Sequence, residues 1–487
     1  MTREQAVLVT LVAYQVVLVA IGVLSRGRTR DGADFFLGGR GLGPLVAAIS
    51  ASASSSSAWT LLGVSGFAWS SGASAIWLFP ACVGGFALNW YVLAPALRRS
   101  PAAREALTVT EVLAGRGEDA TRRAISVLAS LTVLVFMTSY VASQFQGAGK
   151  TFGETFGMSM TTSILVGAAV VVFYTMVGGF WAVSLTDTLQ GLLMAATAVI
   201  LPVAALVAVG GFGPLADGLR AIPGEDYLSP TRGWPWAMGI GFILGLLGIG
   251  LGYPGQPHVV NRYMAMKLGD QALRRARAIG LTWAGCVYAG MLLLGLCGRV
   301  LYPDLTDPEV VMVVAANGLL PAVLAGVMIA AVLSAIMSTA DSQLLVAAST
   351  ITHDLRVGAA GRWSLLARSR VVVLLLCAGA VAGALYGSQE IFSRVLFAWA
   401  AMGAAFGPLL LITVWRGPVP AGATIAAMIA GFTLSVAAYS LPADPWKGAA
   451  ERVLPFLVAL AIALAMTRRK SPRGAEAPRL RPDGDRT

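Results

Sequence analysis

The sequence predicts an all-α polytopic membrane protein with about thirteen transmembrane helices. Two compositional facts carry this: 57% of the 487 residues are hydrophobic and only 12% are charged, far from the balance of soluble domains. A third is the repeated occurrence of apolar stretches of roughly 20 residues, each enough to cross about 30 Å of hydrocarbon. The expected spans are 5-25, 42-67, 73-97, 124-148, 160-179, 187-209, 235-257, 276-300, 319-349, 368-387, 391-415, 420-440 and 452-467. Residues 1-467 therefore read as one transmembrane domain and 468-487 as a basic, disordered cytoplasmic tail.

Charge sets the orientation. The loops after spans 1, 3, 7, 9, 11 and 13, with the adjoining helix ends, hold 4, 6, 5, 4, 1 and 7 Lys plus Arg, together 27 of 35. All six lie on one side, which the positive-inside rule makes cytoplasmic, with the N-terminus outside and the C-terminus inside. The other side carries acidic loops such as Tyr302-Pro-Asp-Leu-Thr-Asp-Pro-Glu309. The net charge of +11 thus reflects topology, and no nucleic-acid partner is expected.

Span 1 extends past a signal-peptide core without a cleavage signal and is expected to be retained. Span 2 contains Ala48-Ile-Ser-Ala-Ser-Ala-Ser-Ser-Ser-Ser-Ala-Trp59, six hydroxyls at membrane depth. Lipid offers them no partners, so the run must face protein, water or a solute. Span 7 contains Gly248-Ile-Gly-Leu-Gly-Tyr-Pro-Gly-Gln-Pro257, whose four glycines and two prolines make a continuous helix improbable. Residues 250-255 also match G-x-G-x-x-G, but no strand precedes them, which argues against a nucleotide site. Glycine-mediated helix packing accounts for the glycines without accounting for Tyr253 or the prolines.

Irregular spans 2 and 7 lie five apart and so cross in opposite directions. That is the arrangement of two inverted repeats, spans 2-6 and 7-11, whose interrupted first helices meet at a solute and ion site. In span 9, Ala335, Ser338, Thr339 and Ser342 share one helix face. With carbonyls freed by a broken helix they offer an oxygen-only site for a hard cation such as sodium. Alternatively, the hydroxyls bond back to their own helix and permit close packing. Asp341 is an intramembrane carboxylate, costly unless it has a function: binding a second cation, carrying a proton or lying in the inward water path. Asp187, where span 6 is expected to begin, reads more simply as a helix cap.

All four cysteines, Cys82, Cys286, Cys297 and Cys377, fall inside apolar spans and read as small buried hydrophobes without a disulfide. No Cys or carboxylate cluster accompanies His258 or His353, so no transition-metal centre is expected. No nucleophile and base are recognisably arranged, and an enzyme is not expected.

The motifs Phe36-Leu-Gly-Gly-Arg-Gly-Leu-Gly-Pro44, Thr108-Val-Thr-Glu-Val112 and Tyr174-Thr-Met-Val-Gly-Gly-Phe-Trp-Ala-Val-Ser-Leu-Thr-Asp187 occur in order with the serine run. Gly252-Tyr-Pro-Gly-Gln-Pro-His258, Met337-Ser-Thr-Ala-Asp-Ser-Gln-Leu-Leu345 and Ala398-Trp-Ala-Ala-Met-Gly-Ala-Ala-Phe-Gly-Pro408 follow. From about Asp34 to Ala430 the chain resembles the sodium/solute symporter family, most closely its bacterial proline-transporting members. The resemblance implies a LeuT-type core in the plasma (inner) membrane and sodium-coupled uptake of a small solute, foremost proline, by alternating access. It implies a principal sodium site from the carbonyls of Ala53, Ser56 and Ala335 with the hydroxyls of Ser338 and Thr339. A second cation site would use Asp187, Ser338, Asp341 and Ser342, with Asp341 replacing a typical serine. Solute would meet Tyr140 and Tyr253, near Ser57 and Trp59, and Arg40 would lie at the cytoplasmic mouth. Two positions depart from the proline-transporting pattern: Ser55 stands for an aspartate and Ile249 for a tryptophan. Another amino acid, a monocarboxylate or pantothenate is the alternative solute, and a membrane solute sensor the alternative class.

Overall fold

The computed structural model describes residues 2–25, 37, 40–115, 119–177, 180–224, 226–267, 269–357, 363–388 and 390–467. The expected tail 468-487, and part of the Phe36–Pro44 motif, lie outside the described residues. Among those described, eleven helices are long and apolar enough to cross a membrane. The difference from thirteen lies in two places. Spans 2 and 3 run together as the helical stretch Trp59–Arg99, after the short helix Pro44–Ser55, and the fifth stretch, Met160–Phe173, is shorter. The chain reverses within the merged stretch at Gly72, whose φ of 59° suits glycine.

The helices that build the centre are α1 (Arg3–Ser25), α2 (Pro44–Ser55), α3 (Val64–Ser71), α4 (Ala120–Phe156) and α5 (Phe180–Val209). They are followed by α6 (Trp236–Leu247), α7 (Pro257–Ala265), α8 (Asp270–Leu301), α9 (Ala322–Ser349) and α10 (Ile391–Arg416). Both expected breaks are present. Helix α2 stops at Ser55 because Ser56 turns to an extended conformation (φ −121°, ψ 97°), and a π-turn, Trp59–Gly63, restarts the span before α3. Serine hydroxyls compete for backbone groups and weaken a helix here. The second break is a 3₁₀ segment, Gly248–Gly255, followed by extended Gln256 before α7.

Helices α5, α7, α8 and α9 surround α2, while α10 packs along the 248–255 break. Burial separates centre from periphery: 89% of the apolar window of α10 is buried, against 22% for α1. Cys286 is exposed rather than buried, because it lies on the outward face of α8.

Close approach of α10 to the second break depends on paired glycines. A Cβ on Gly403 would lie 2.5 Å from the Gly252 Cα, whereas one on Gly84 would meet nothing within 4 Å. Gly403→Ala is expected to destabilise the protein by about 1–3 kcal/mol through overpacking. A thermal melt of the detergent-solubilised protein should show a lower Tm for Gly403→Ala and an unchanged one for Gly84→Ala.

Candidate functional site

The two halves of the expected ion site meet where α2 ends. Ser338 on α9 donates from Oγ to the Ala53 carbonyl at 3.2 Å and to its own Ala335 carbonyl at 3.4 Å. Thr339 donates to the Ser54 carbonyl at 3.3 Å. Ala53, Ala335, Ser338 and Thr339 therefore converge, and Ser338, Thr339 and Ser342 are fully buried. Ser56 reaches this cluster through its backbone N–H, which donates to the Ala53 carbonyl at 3.1 Å, rather than through the expected carbonyl. Two carbonyls and two hydroxyls suit a hard monovalent cation held by neutral oxygens.

One helical turn further along α9 the expected second set also assembles, but with an occupant that sequence reasoning missed. Asp187 accepts from Ser50 Oγ at 2.8 Å, Ser54 Oγ at 3.1 Å and Arg262 Nη2 at 3.0 Å, all on Oδ2. Arg262, from α7, is 1% exposed. It also donates from Nε to Ser50 Oγ at 3.2 Å, from Nη1 to the His258 carbonyl and from Nη2 to Ser342 Oγ. Its guanidinium stacks 5.1 Å from the Phe180 ring centroid. Asp341 accepts from Ser342 Oγ at 3.2 Å on Oδ1. The cap reading of Asp187 is corrected: α5 begins at Phe180, so Asp187 lies two turns inside the helix with its carboxylate aimed at α2 and α7. The available signal for Arg262 is a cation five residues after the last proline of a Gly/Pro break.

The aromatic residues enclose the neighbouring space. Tyr140 donates from its hydroxyl to Ser57 Oγ at 3.1 Å, and Gln144 accepts the Ala58 N–H at 3.0 Å, fixing the unwound strand after α2. Tyr253 shares a 3.0 Å hydrogen bond with Tyr288 and packs 4.8 Å from Trp399. Trp399 Nε1 donates to the Ile249 carbonyl at 3.1 Å, and Trp59 lies 6.3 Å from Tyr288 between ring centroids. Ser57, Trp59, Tyr140, Ile249 and Tyr253 are thus buried around one aromatic centre. Ser55 turns away, its Oγ donating to the Ser52 carbonyl at 2.9 Å. Trp399 and Tyr288 were missed as site residues, although Trp399 lay in a recognised motif.

Both mouths are covered. On the acidic face Lys150 pairs with Asp307 and Glu309 at 2.6 Å each, and Glu309 accepts the N–H groups of Ile391 and Phe392 at the start of α10. Phe392 stacks on Phe67 at 4.5 Å and on Trp59 at 5.8 Å. On the basic face Arg40 donates to the carbonyls of Ala103, Ala106 and Met264. Glu111 pairs with His353 at 3.0 Å, and Thr108 donates to Asp354 at 2.9 Å. The expectation that no carboxylate cluster accompanies the histidines is therefore corrected for His353, because the fold brings ligand atoms of Glu111, His353 and Asp354 within 4.8 Å of one another. Asp354 is the sequence neighbour of His353, but Glu111 lies 242 residues away, beyond any spacing signal.

Comparison with known proteins settles the family. Residues 35–431 match the model of the sodium:solute symporter family. The chain belongs to that family. It is 35% identical to the sodium/proline symporter of Escherichia coli (strain K12) over 448 residues, 88% of this chain and 87% of that protein. It is equally 35% identical to the osmoregulated proline transporter OpuE of Bacillus subtilis (strain 168), covering 87% of each. Among solved structures, a Na+-coupled sialic acid symporter superposes with a TM-score of 0.77 at 19% identity, over 96% of this chain and 99% of that one. A nucleobase-cation-symport-1 family transporter gives 0.55 at 15% identity, over 90% and 96%. The fold of this sodium:solute symporter is accordingly the LeuT-type inverted-repeat core.

Glu111, in the short helix Val109–Ala114, yields a pH prediction. Burial opposes its ionisation, but hydrogen bonds from His353 and the Leu107 N–H outweigh burial and hold the carboxyl below its ordinary value. A depressed folded-state value adds stability above the ordinary carboxylate range, and that stability is lost as pH falls through it. Glu111→Gln should lower the Tm at neutral pH, and the gap to the parent should close as pH drops below the ordinary glutamate value of 4.5. A gap that persists at low pH would contradict this.

Proposed function

We propose that this symporter imports proline together with sodium across the bacterial plasma membrane by alternating access. The observation that carries the reading is the contact between α9 and the broken end of α2, where Ser338 and Thr339 hold the carbonyls of Ala53 and Ser54. In the reading, sodium takes the carbonyls of Ala53, Ser56 and Ala335 with the hydroxyls of Ser338 and Thr339. The solute lies beside Tyr140, Tyr253, Ser57 and Trp59. A tyrosine ring packs against the pyrrolidine while its hydroxyl makes a polar contact. The positive dipole end of the helix that restarts after Ser57 favours the carboxylate, the N–H groups of Ala58, Trp59 and Thr60 being held by Gln144 Oε1, Ser57 Oγ and the Ser57 carbonyl. The relatives named as proline transporters support the solute, each over most of its length. In this reading the N-terminus lies outside, which the basic loops on the opposite side support.

Sodium fixes the unwound strand and thereby raises solute affinity, and by linkage the solute raises sodium affinity equally. Opening to the acidic face requires Glu309 to release α10, and opening to the basic face requires Arg40 and the Glu111–His353 pair to let go. An inside-negative potential adds about 2.3 kcal/mol per charge per 100 mV to inward movement.

The test is uptake of labelled proline by purified protein in liposomes under an imposed sodium gradient. Sodium-driven accumulation is expected. Its absence for every small solute tried would favour a sensor and sink the transport reading. Competition by another amino acid, a monocarboxylate or pantothenate but not by proline would replace the solute alone. Ser338→Ala combined with Thr339→Ala should abolish sodium stimulation. Tyr140→Phe, which loses the hydrogen bond to Ser57, should cost about 0.5–1.5 kcal/mol, a roughly two- to tenfold rise in half-saturating proline.

A further inference from the structure

The basic mouth holds a cluster that the transport reading uses only as a latch. Glu111, His353 and Asp354 each bring a ligand atom to within 4.8 Å of the others. They come from two segments. Glu111 lies in the short helix Val109–Ala114, capped by Thr108, whereas His353 and Asp354 lie in the π-turn Thr350–Asp354 that ends α9. Both carboxylates are positioned by other bonds. Glu111 Oε2 accepts the Leu107 N–H at 2.7 Å, which leaves Oε1 to face His353 Nε2 at 3.0 Å. Thr108 donates to Asp354 Oδ1 at 2.9 Å, while Asp354 Oδ2 is buried and receives no hydrogen bond. A buried carboxylate oxygen without a donor is costly, and a bound cation relieves it.

We propose that Glu111, His353 and Asp354 bind a divalent transition-metal ion, with zinc the closest fit, and that the bound ion locks the basic mouth shut. One imidazole nitrogen and two carboxylate oxygens suit zinc, whose bonds to such atoms measure about 2.0–2.2 Å and so hold them roughly 3.3–3.6 Å apart. The cluster therefore needs only a small contraction. Magnesium and calcium prefer oxygen ligands alone, so the imidazole discriminates against them. Charge agrees as well: two carboxylates and a neutral imidazole offer two negative charges to a dication. The Glu111 and His353 side chains keep 28% and 29% of their surface exposed, so an ion enters from water, and a water molecule completes a four-coordinate shell. Arg122 and Arg356 act on Glu111 and His353 from nearby and weaken the hold on a dication, which suits a reversible site. Binding at Nε2 displaces the proton held between His353 and Glu111 into solvent or onto Nδ1. The contact between the two segments is thereby kept and stiffened. Metal binding stands apart from the symport reading, and only the effect on uptake rests on it.

The test uses tag-free protein, since a histidine tag would itself bind the probe. Zinc chloride titrated calorimetrically into the detergent-solubilised parent should fill one site and raise the Tm. His353→Ala and Asp354→Asn should each weaken zinc binding about tenfold or more, whereas Cys286→Ser, at the exposed cysteine, should leave it unchanged. In liposomes with zinc on both sides, sodium-driven proline uptake by the parent should fall about fivefold or more, and His353→Ala should escape this inhibition. A parent that binds no zinc overturns the proposal. So does zinc binding that survives either substitution, a result that stands even where the other variant does not fold, and so does displacement of zinc by magnesium or calcium at equal concentration. Zinc that binds the parent without slowing uptake overturns the lock. A parent without sodium-driven uptake fails the symport reading instead, while calorimetry and melting still decide the site.

Discussion

A backbone broken inside hydrocarbon has to find its hydrogen-bond partners within the protein, and this constraint organises the whole centre of the molecule. When α2 stops at Ser55, the carbonyls of Ala53 and Ser54 lose their helical donors. They recover them from Ser338 and Thr339 of α9. Of these two, the Ala53 carbonyl is one that sodium would use in the proposed reading. In the proposed reading sodium would take over the carbonyl while the Ser338 and Thr339 hydroxyls turn from hydrogen-bond donors to ligands, a trade that reverses readily, as a transported ion requires. The rigidity of α9 matters here, since it is buried along most of its length and supplies hydroxyls at fixed spacing.

The second break is managed in the same way by a different straight helix. Trp399 of α10 donates to the Ile249 carbonyl, and Gln256 donates to the carbonyls of Gly252 and Trp399. Each broken span therefore leans on one unbroken neighbour: α2 on α9, and the 248–255 segment on α10. The start of α10 is in turn held by Glu309 through two backbone N–H groups. Movement at the acidic mouth is consequently passed along α10 to the strand beside Tyr253, while movement of α2 is read by α9. In the proposed reading the two ligands would be coupled because both would rest on strands that cannot shift without trading these bonds.

Much of this was legible in the sequence, for reasons that are local. The serine run and the Gly/Pro run weaken helix wherever they occur, so both breaks could be located from composition alone. Helical spacing put Ala335, Ser338, Thr339 and Ser342 on one face before any contact was known. The rest depends on contacts between distant segments. Arg262 looked like one more positive charge on the basic side, because nothing in its neighbourhood announces that α7 turns it inward onto Asp187, 75 residues away. Asp187 looked like a cap because the apolar stretch was taken to begin there, whereas Phe180–Thr186 continue the helix. Trp399 and Tyr288 are ordinary aromatics until the second break brings its free carbonyl and Tyr253 against them.

The buried Asp187–Arg262 pair has an energetic logic of its own. Such pairs contribute little net stability, since taking two charges out of water costs about as much as their attraction returns, and removing one partner is far worse, about 3–5 kcal/mol. The pair is tolerable because nearly every donor of Arg262 is satisfied, by Ser50, Ser342 and the His258 carbonyl as well as by the carboxylate. What it provides is geometry. Ser50 and Ser54 both donate to the Asp187 oxygen that Arg262 holds, so the end of α2 is anchored to α5 and α7 on one side and α9 on the other. Unwinding at Ser56 therefore starts from a fixed point. Where the resemblance places an acid on the unwound strand at position 55, this chain has Ser55 folded back on Ser52 and its extra carboxylate, Asp341, on α9. The additional carboxylate therefore lies on a continuous helix buried along most of its length rather than on the extended strand that follows α2.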